Sequence, residues 1–221
     1  MTNQQKIILT PEDAVASGVH YTCKHEGKLK GIYSLSTSCT DNPICLKSKD
    51  IEGSVCQKCY ASRLLAYRKA LLEPLTANAW ILSSLVITKG QAPIIPTRYF
   101  RFESFGELIN ATQVINYFRI AEANPKVKCA LWTKQPHIID DAIKSGYKKP
   151  RNLEIVQSSL MLNKPSVPTH TFVDKVFTVF TREYLKEHAD IKINCGARSC
   201  VTCGLCYNRQ KTLTFVNELL K

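Results

Sequence analysis

Eight of the ten cysteines fall into two groups of four whose spacing suits metal ligation. The C-terminal group, Cys195, Cys200, Cys203 and Cys206, is spaced C-x4-C-x2-C-x2-C. Consecutive x2 spacings let a short loop bend around a compact object, and four thiolates satisfy the irons of a 4Fe-4S cubane. Zinc ribbons instead set two C-x2-C pairs far apart, because a tetrahedral ion needs two knuckles converging from different segments. The N-terminal group, Cys39, Cys45, Cys56 and Cys59, is spaced C-x5-C-x10-C-x2-C and suits zinc almost as well. The pattern predicts two 4Fe-4S clusters, with zinc as the alternative. Spacing leaves open which sulfurs share a site. Of the remaining thiols, Cys129 lies in the apolar run VKCALW and reads as a buried structural residue. Cys23 is flanked by His20 and His25 as candidate ligands, whereas His137, His170 and His188 stand isolated.

Positioning these ligands requires a scaffold, and the rest of the chain alternates between strand and helix patterns. Strands are predicted over residues 31–38, 98–102, 127–132, 153–157, 175–180 and 191–194. A helix-start signature at Thr10-Pro11 opens a short helix that Gly18 closes. Directly after Cys59, apolar residues at 60, 64, 67 and 71 mark a helix whose N-terminal amides would stabilise thiolates. Pro74 interrupts that pattern, and a second helix is predicted over 75–88. Ser104 and Glu107 form a capping box that opens a helix carrying Leu108, Ala111, Ile115 and Phe118 on its inner side. Further helices are predicted from Pro136 to Gly146, over 181–188 and over 211–220. Such alternation argues for a single α/β domain over residues 1–221, built as a partial barrel or an open, mostly parallel sheet. The cysteine-rich segments 39–59 and 195–206 lie near its two ends.

In such sheets chemistry gathers beyond the carboxyl ends of the strands. Arg101, Glu103 and Ser104 close one predicted strand, Thr133, Lys134 and Gln135 the next, and Gln157, Ser158 and Ser159 a third. Glu103, Lys134 and Gln157 are the residues expected to line the substrate side; Glu103 stands out because an acid in the apolar context YFRFESF needs a partner. An apolar fraction of 44% predicts an ordered core rather than disorder. The formal charge of +12 makes nucleic acid a candidate partner, beside a redox partner, although the densest basic stretch is only KSGYKKPR from Lys144 to Arg151. Neither a signal-peptide core nor a membrane-spanning run is visible. A reducing, cytoplasmic compartment is therefore expected, where clustered cysteines hold metal more often than they form disulfides.

SLSTSCTDNPICLKSK followed by CQKCYASRLLAYRKALL resembles the gene product 88 domain family of phages and other mobile elements. FRFESFGEL, the ALWTK strand and CGARSCVTCGLCY extend the resemblance, in order, from about residue 32 to residue 207. It implies a small phage- or prophage-type protein whose cysteines bind a cluster. The chain is more weakly similar to radical S-adenosylmethionine enzymes, which pair a partial α/β barrel with a cubane, but their C-x3-C-x2-C loop is absent and no GGE-like motif appears. The leading expectation is an iron–sulfur protein with redox activity, either electron transfer or reductive chemistry on a small substrate. The alternatives are a metal-stabilised nucleic-acid-binding module and an atypical radical enzyme.

Overall fold

The computed structural model describes residues 18–23 and 26–220. One sheet of seven strands carries the order β1-β2-β3-β4-β5-β6-β7. The strands are β1 Tyr21–Cys23, β2 Tyr33–Leu35, β3 Tyr99–Phe102, β4 Lys128–Thr133, β5 Leu153–Ser158, β6 Lys175–Phe180 and β7 Thr214–Leu219. β1 runs antiparallel to β2, and every later pairing is parallel. Seven α-helices accompany the strands among the described residues: α1 Pro43–Lys49, α2 Tyr60–Tyr67, α3 Leu72–Ser84, α4 Ala111–Ala123, α5 Pro136–Lys144, α6 Arg182–Glu187 and α7 Cys200–Cys203. None is long and apolar enough to cross a membrane.

The sheet is singly wound, each parallel strand lying beside its predecessor. Crossovers of one hand then deliver helices to the same face. On that face Phe100, Phe102, Cys129, Leu131, Leu153 and Ile155 pack against Leu82 of α3, Phe118 and Ile120 of α4, and Ile139 of α5. Side chains alternate across each strand, so the intervening residues Tyr99, Ala130, Trp132 and Val156 point the other way, where Tyr207 covers them. Each large apolar side chain fully buried in the helix-side core contributes about 1.5–3 kcal/mol. Glu154 and Lys175, on the side opposite the helices, form a buried ion pair at 2.6 Å.

Several elements differ from the sequence expectation, each for a local physical reason. Residues 104–110 are not helical; α4 begins at Ala111, where the Asn110 side chain accepts a hydrogen bond from the Gln113 amide. Glu107 does not act as a cap because its carboxylate is bound by Thr133 Oγ1 and the Lys134 amide. Pro74 does not separate two helices but sits in the first turn of α3, where its missing N–H has no intrahelical partner to lose. That helix accordingly starts earlier and stops at Ser84, short of the expected Thr88. Residues 191–194 form no strand, although Asn194 and Cys195 donate their amides to the Asn217 carbonyl. Residues 211–220 are not a helix: Thr214–Leu219 pairs along the full length of β6, satisfying an edge that would otherwise lie open. β1 was not foreseen, and the helix expected from Thr10 lies outside the described residues.

Candidate metal centre

Both cysteine groups open onto one cavity of about 490 Å³, on the sheet face away from α3, α4 and α5. Cys39, Cys45, Cys56 and Cys59 line it from the long β2–β3 connection, and Cys195, Cys200, Cys203 and Cys206 from the β6–β7 connection. The eight grouped cysteines and Cys129 are free thiols. Among the described residues no three cysteine, histidine or carboxylate groups close tightly enough on one point to chelate a single ion.

The N-terminal group is held by caps and by its own apolar packing. The Asn42 side chain accepts from the Ile44 and Cys45 amides at the start of α1, while its Nδ2 donates to the Glu107 carbonyl at 2.8 Å. Ser54 caps the short 3-10 turn Val55–Lys58 by accepting from the Cys56 amide. Pairing of Val55 and Leu162 with Leu160 and Gly53 ties this turn to the loop after β5. Cys39 is buried with Ala61, Leu65, Leu75 and Phe105, and Cys45 and Cys59 pack against them. A hydrogen bond from Cys39 holds the Cys59 thiol below the ordinary thiol range, against its burial, with help from the Ser62 and Ala61 amides at the start of α2. Neither amide forms a full capping hydrogen bond to the sulfur. The same Cys39–Cys59 contact, with burial, drives Cys39 well above the ordinary thiol range. Burial pushes Cys45 up to about 12.

The C-terminal group is pinned at both ends. Lys28 Nζ donates to the Cys195 carbonyl at 2.9 Å and lies 3.0 Å from both Cys195 Sγ and Glu218 Oε1. Burial works against the Lys28 charge, yet these partners hold its ammonium above the ordinary lysine value. The Cys200 amide donates to the Lys28 carbonyl. Gly204 ends α7 at φ +62°, where a Cβ would stand 2.5 Å from Asn208 Nδ2 and 2.7 Å from the Tyr99 hydroxyl. Asn208 is anchored by Lys128 Nζ at 2.6 Å and Lys175 Nζ at 3.1 Å. Tyr207 inserts between Tyr99 and Trp132, with ring centroids 4.8 and 5.9 Å away. Burial lifts Cys206 to about 12. Each group's thiols act electrostatically on members of their own group: Cys39 feels Cys59 and Cys45, and Cys206 feels Cys195, Cys200 and Cys203.

The strand-end residues expected to line the substrate side separate here. Glu103 lines the cavity rim, but φ +56° turns its carboxyl toward α4, where it accepts from Thr37 Oγ1, Gln113 Nε2 and the Tyr117 hydroxyl. Burial pushes it up to about 8, although the Tyr117 hydrogen bond pulls the other way. Lys134 lines the cavity beside the N-terminal thiols; burial works against its charge, but Glu107, Cys56, Cys45 and Cys59 outweigh that and raise it. Gln157 is not a cavity residue, because strand alternation sends it to the opposite face from Val156 and Ser158. Ser158 and Ser159 line the cavity instead.

Other cavity residues were not foreseen, notably Lys28, Glu107, Trp132, Tyr60, Tyr207 and Glu218. One signal was available: each cysteine group ends in a Cys–Tyr pair, Cys59-Tyr60 and Cys206-Tyr207. The Tyr60 hydroxyl donates to the Ser104 carbonyl, joining the N-terminal group to the β3 exit. Cys129 is fully buried in the helix-side core. Of the histidines near Cys23, His20 is tied through its backbone to Asn78, and His25 lies outside the described residues. None of His137, His170 and His188 lines the cavity. The densest basic run carries less free charge than its composition suggests, since Lys144 pairs with Asp140 and Lys149 with Asp174.

No protein-family model, curated protein or solved structure matches this chain.

Proposed function

We propose that this is an iron–sulfur protein of the phage or mobile-element type, with two 4Fe-4S clusters and reductive or electron-transfer activity toward a small substrate in the shared cavity. The observation that carries the reading is that all eight grouped thiols line one cavity. The donor set fits the group: eight free thiols, with Lys28 and Lys134 present to offset a thiolate-rich, negatively charged occupant. Cys39, Cys45, Cys56 and Cys59 would hold one cluster, and Cys195, Cys200, Cys203 and Cys206 the other. Bound clusters would supply electrons one at a time. The protein's own residues bind and orient. Lys28 fixes Cys195, Lys134 faces the N-terminal thiols, and Glu103 ties the β3 exit to Thr37 and α4. We read the singly wound sheet as a partial barrel whose inner face is this cavity.

Anaerobic purification followed by iron and acid-labile sulfide analysis tests the reading. About eight irons and about eight sulfides per chain are expected from two cubanes. A colourless protein with stoichiometric zinc would refute it.

A second reading follows from the topology. A cysteine group directly after the first of six consecutive parallel strands fits a radical S-adenosylmethionine-type enzyme of atypical ligand spacing. That reading requires reductive cleavage of S-adenosylmethionine by the dithionite-reduced protein, and no cleavage product eliminates it.

A further inference from the structure

Buried polar side chains are almost always hydrogen-bonded, so an orphaned one calls for a missing partner. Among the described residues four buried side-chain polar atoms have none: Arg101 Nε, Ser104 Oγ, Gln157 Oε1 and Tyr207 Oη. Arg101, Ser104 and Tyr207 line the same cavity, whereas Gln157 does not. Ser104 is 5% exposed and Tyr207 3%, so bulk solvent does not serve them.

Arg101 and Tyr207 meet on one side chain, Trp132. Arg101 points from β3 onto Trp132, its guanidinium carbon 4.0 Å from the ring centroid, and Tyr207 packs on the same indole. Ser104 follows at the exit of β3, where the Ser36 hydroxyl takes its amide and leaves its own hydroxyl unpaired. The acids that could have neutralised Arg101 are engaged elsewhere: Glu103 with Thr37, Gln113 and Tyr117, Glu107 with Thr133 and the Lys134 amide, and Glu218 with Lys28. No ion pair of Arg101 occurs among the described residues. A guanidinium stacked on an indole keeps its planar N–H edge free for an oxyanion, and two hydroxyls can add donors around it.

We propose that Arg101, Ser104 and Tyr207 form an oxyanion subsite between the two cysteine groups, so that the substrate is a small organic anion, a carboxylate or a phosphate ester. The proposal rests on the reading of the cavity as the substrate site. Both sources offer planar or tetrahedral oxygens to the same donors, and the cavity's size limits the ligand to a small one.

The test is calorimetric titration of the anaerobically purified full chain with inorganic phosphate and, separately, with succinate at constant ionic strength. One saturable site per chain is expected for at least one probe: phosphate binding assigns phosphorylated substrates, and succinate binding assigns carboxylates. Arg101→Gln weakens that binding by about tenfold or more. Arg101→Lys falls between, because it keeps the charge and loses the fork. Tyr207→Phe and Ser104→Ala each weaken binding by a few-fold, and Lys144→Gln, with the same charge change on the surface, leaves it unchanged. Saturation by neither probe overturns the proposal, as does wild-type affinity in both Arg101→Gln and Tyr207→Phe. It is equally overturned if Arg101→Gln and Arg101→Lys lose iron while the retained affinity follows iron content, which would make Arg101 a partner of the metal. Iron and sulfide are measured on the same samples. An iron-free wild type that binds the anion sinks the iron–sulfur reading alone, and an iron-loaded wild type without saturable binding sinks the subsite alone.

Discussion

Glu103 carries its carboxyl on a left-handed backbone, buried against Thr37, Gln113 and Tyr117. Its value near 8 lies above the unfolded carboxylate range near about 4.3. Linkage then has a definite sign: the group's contribution is fully present below the unfolded value and is lost as pH rises through about 8. Denaturant midpoints measured from pH 5 to pH 9 should fall in the wild type relative to Glu103→Gln, and parallel curves would contradict this. Glu103→Ala should cost about 2–3 kcal/mol at neutral pH, since three polar partners lose their acceptor. The sequence pointed to Glu103 because an acid amid aromatics needs partners, and to Lys134 by its place at a strand end. It misplaced Gln157, because the strand end was taken as a unit while a one-residue step reverses the face. Arg101 and Ser104 were visible as strand-end residues, but only three-dimensional contacts reveal that both have an orphaned atom.

At the scale of elements, the loop from Glu103 to Asn110 shows how tertiary contacts override a local signal. Ser104 and Glu107 have capping-box spacing, yet Thr133 and Lys134 take the Glu107 carboxylate and the chain stays irregular until Asn110. Gly106 makes this path passable. At φ +80° a Cβ there would stand 2.3 Å from Thr37 Oγ1, 2.6 Å from the Thr37 carbonyl and 2.9 Å from Glu103 Oε2. Gly106→Ala should therefore destabilise the fold by about 2 kcal/mol or more, seen as a lower melting temperature and loss of the Glu103 pH dependence. Unchanged stability would mean that the loop takes another path. β4, β5 and β6 were legible almost to the residue because their apolar runs are short and bounded by turn signals. β7 was not, because residues 211–220 are mixed in pattern and are fixed as a strand by the waiting edge of β6.

For the whole molecule, the two cysteine groups belong to the first and last crossovers of the parallel series, so the fold brings distant segments to one cavity. The two groups themselves were legible from spacing; their shared cavity was not, since chain separation carries no spatial information. Beneath the cavity the Lys175–Glu154 pair links β6 and β5 and reaches the Asn208 carbonyl, which terminates the C-terminal cysteine loop. Lys175→Met should cost about 3–5 kcal/mol by stranding Glu154, and the double variant with Glu154→Leu should recover most of that loss in urea unfolding. Two independent metal sites predict that Cys59→Ser and Cys203→Ser each remove about half of the bound iron while the double variant removes nearly all. If either single change removed all the iron, the two groups would have to share one site.

The most direct measurement is an anomalous-scattering map of anaerobically grown crystals, recorded on both sides of the iron edge. Two iron peaks are predicted, one ligated by Cys39, Cys45, Cys56 and Cys59 and the other by Cys195, Cys200, Cys203 and Cys206. A zinc-edge signal at either group with no iron peak beside it would contradict the account.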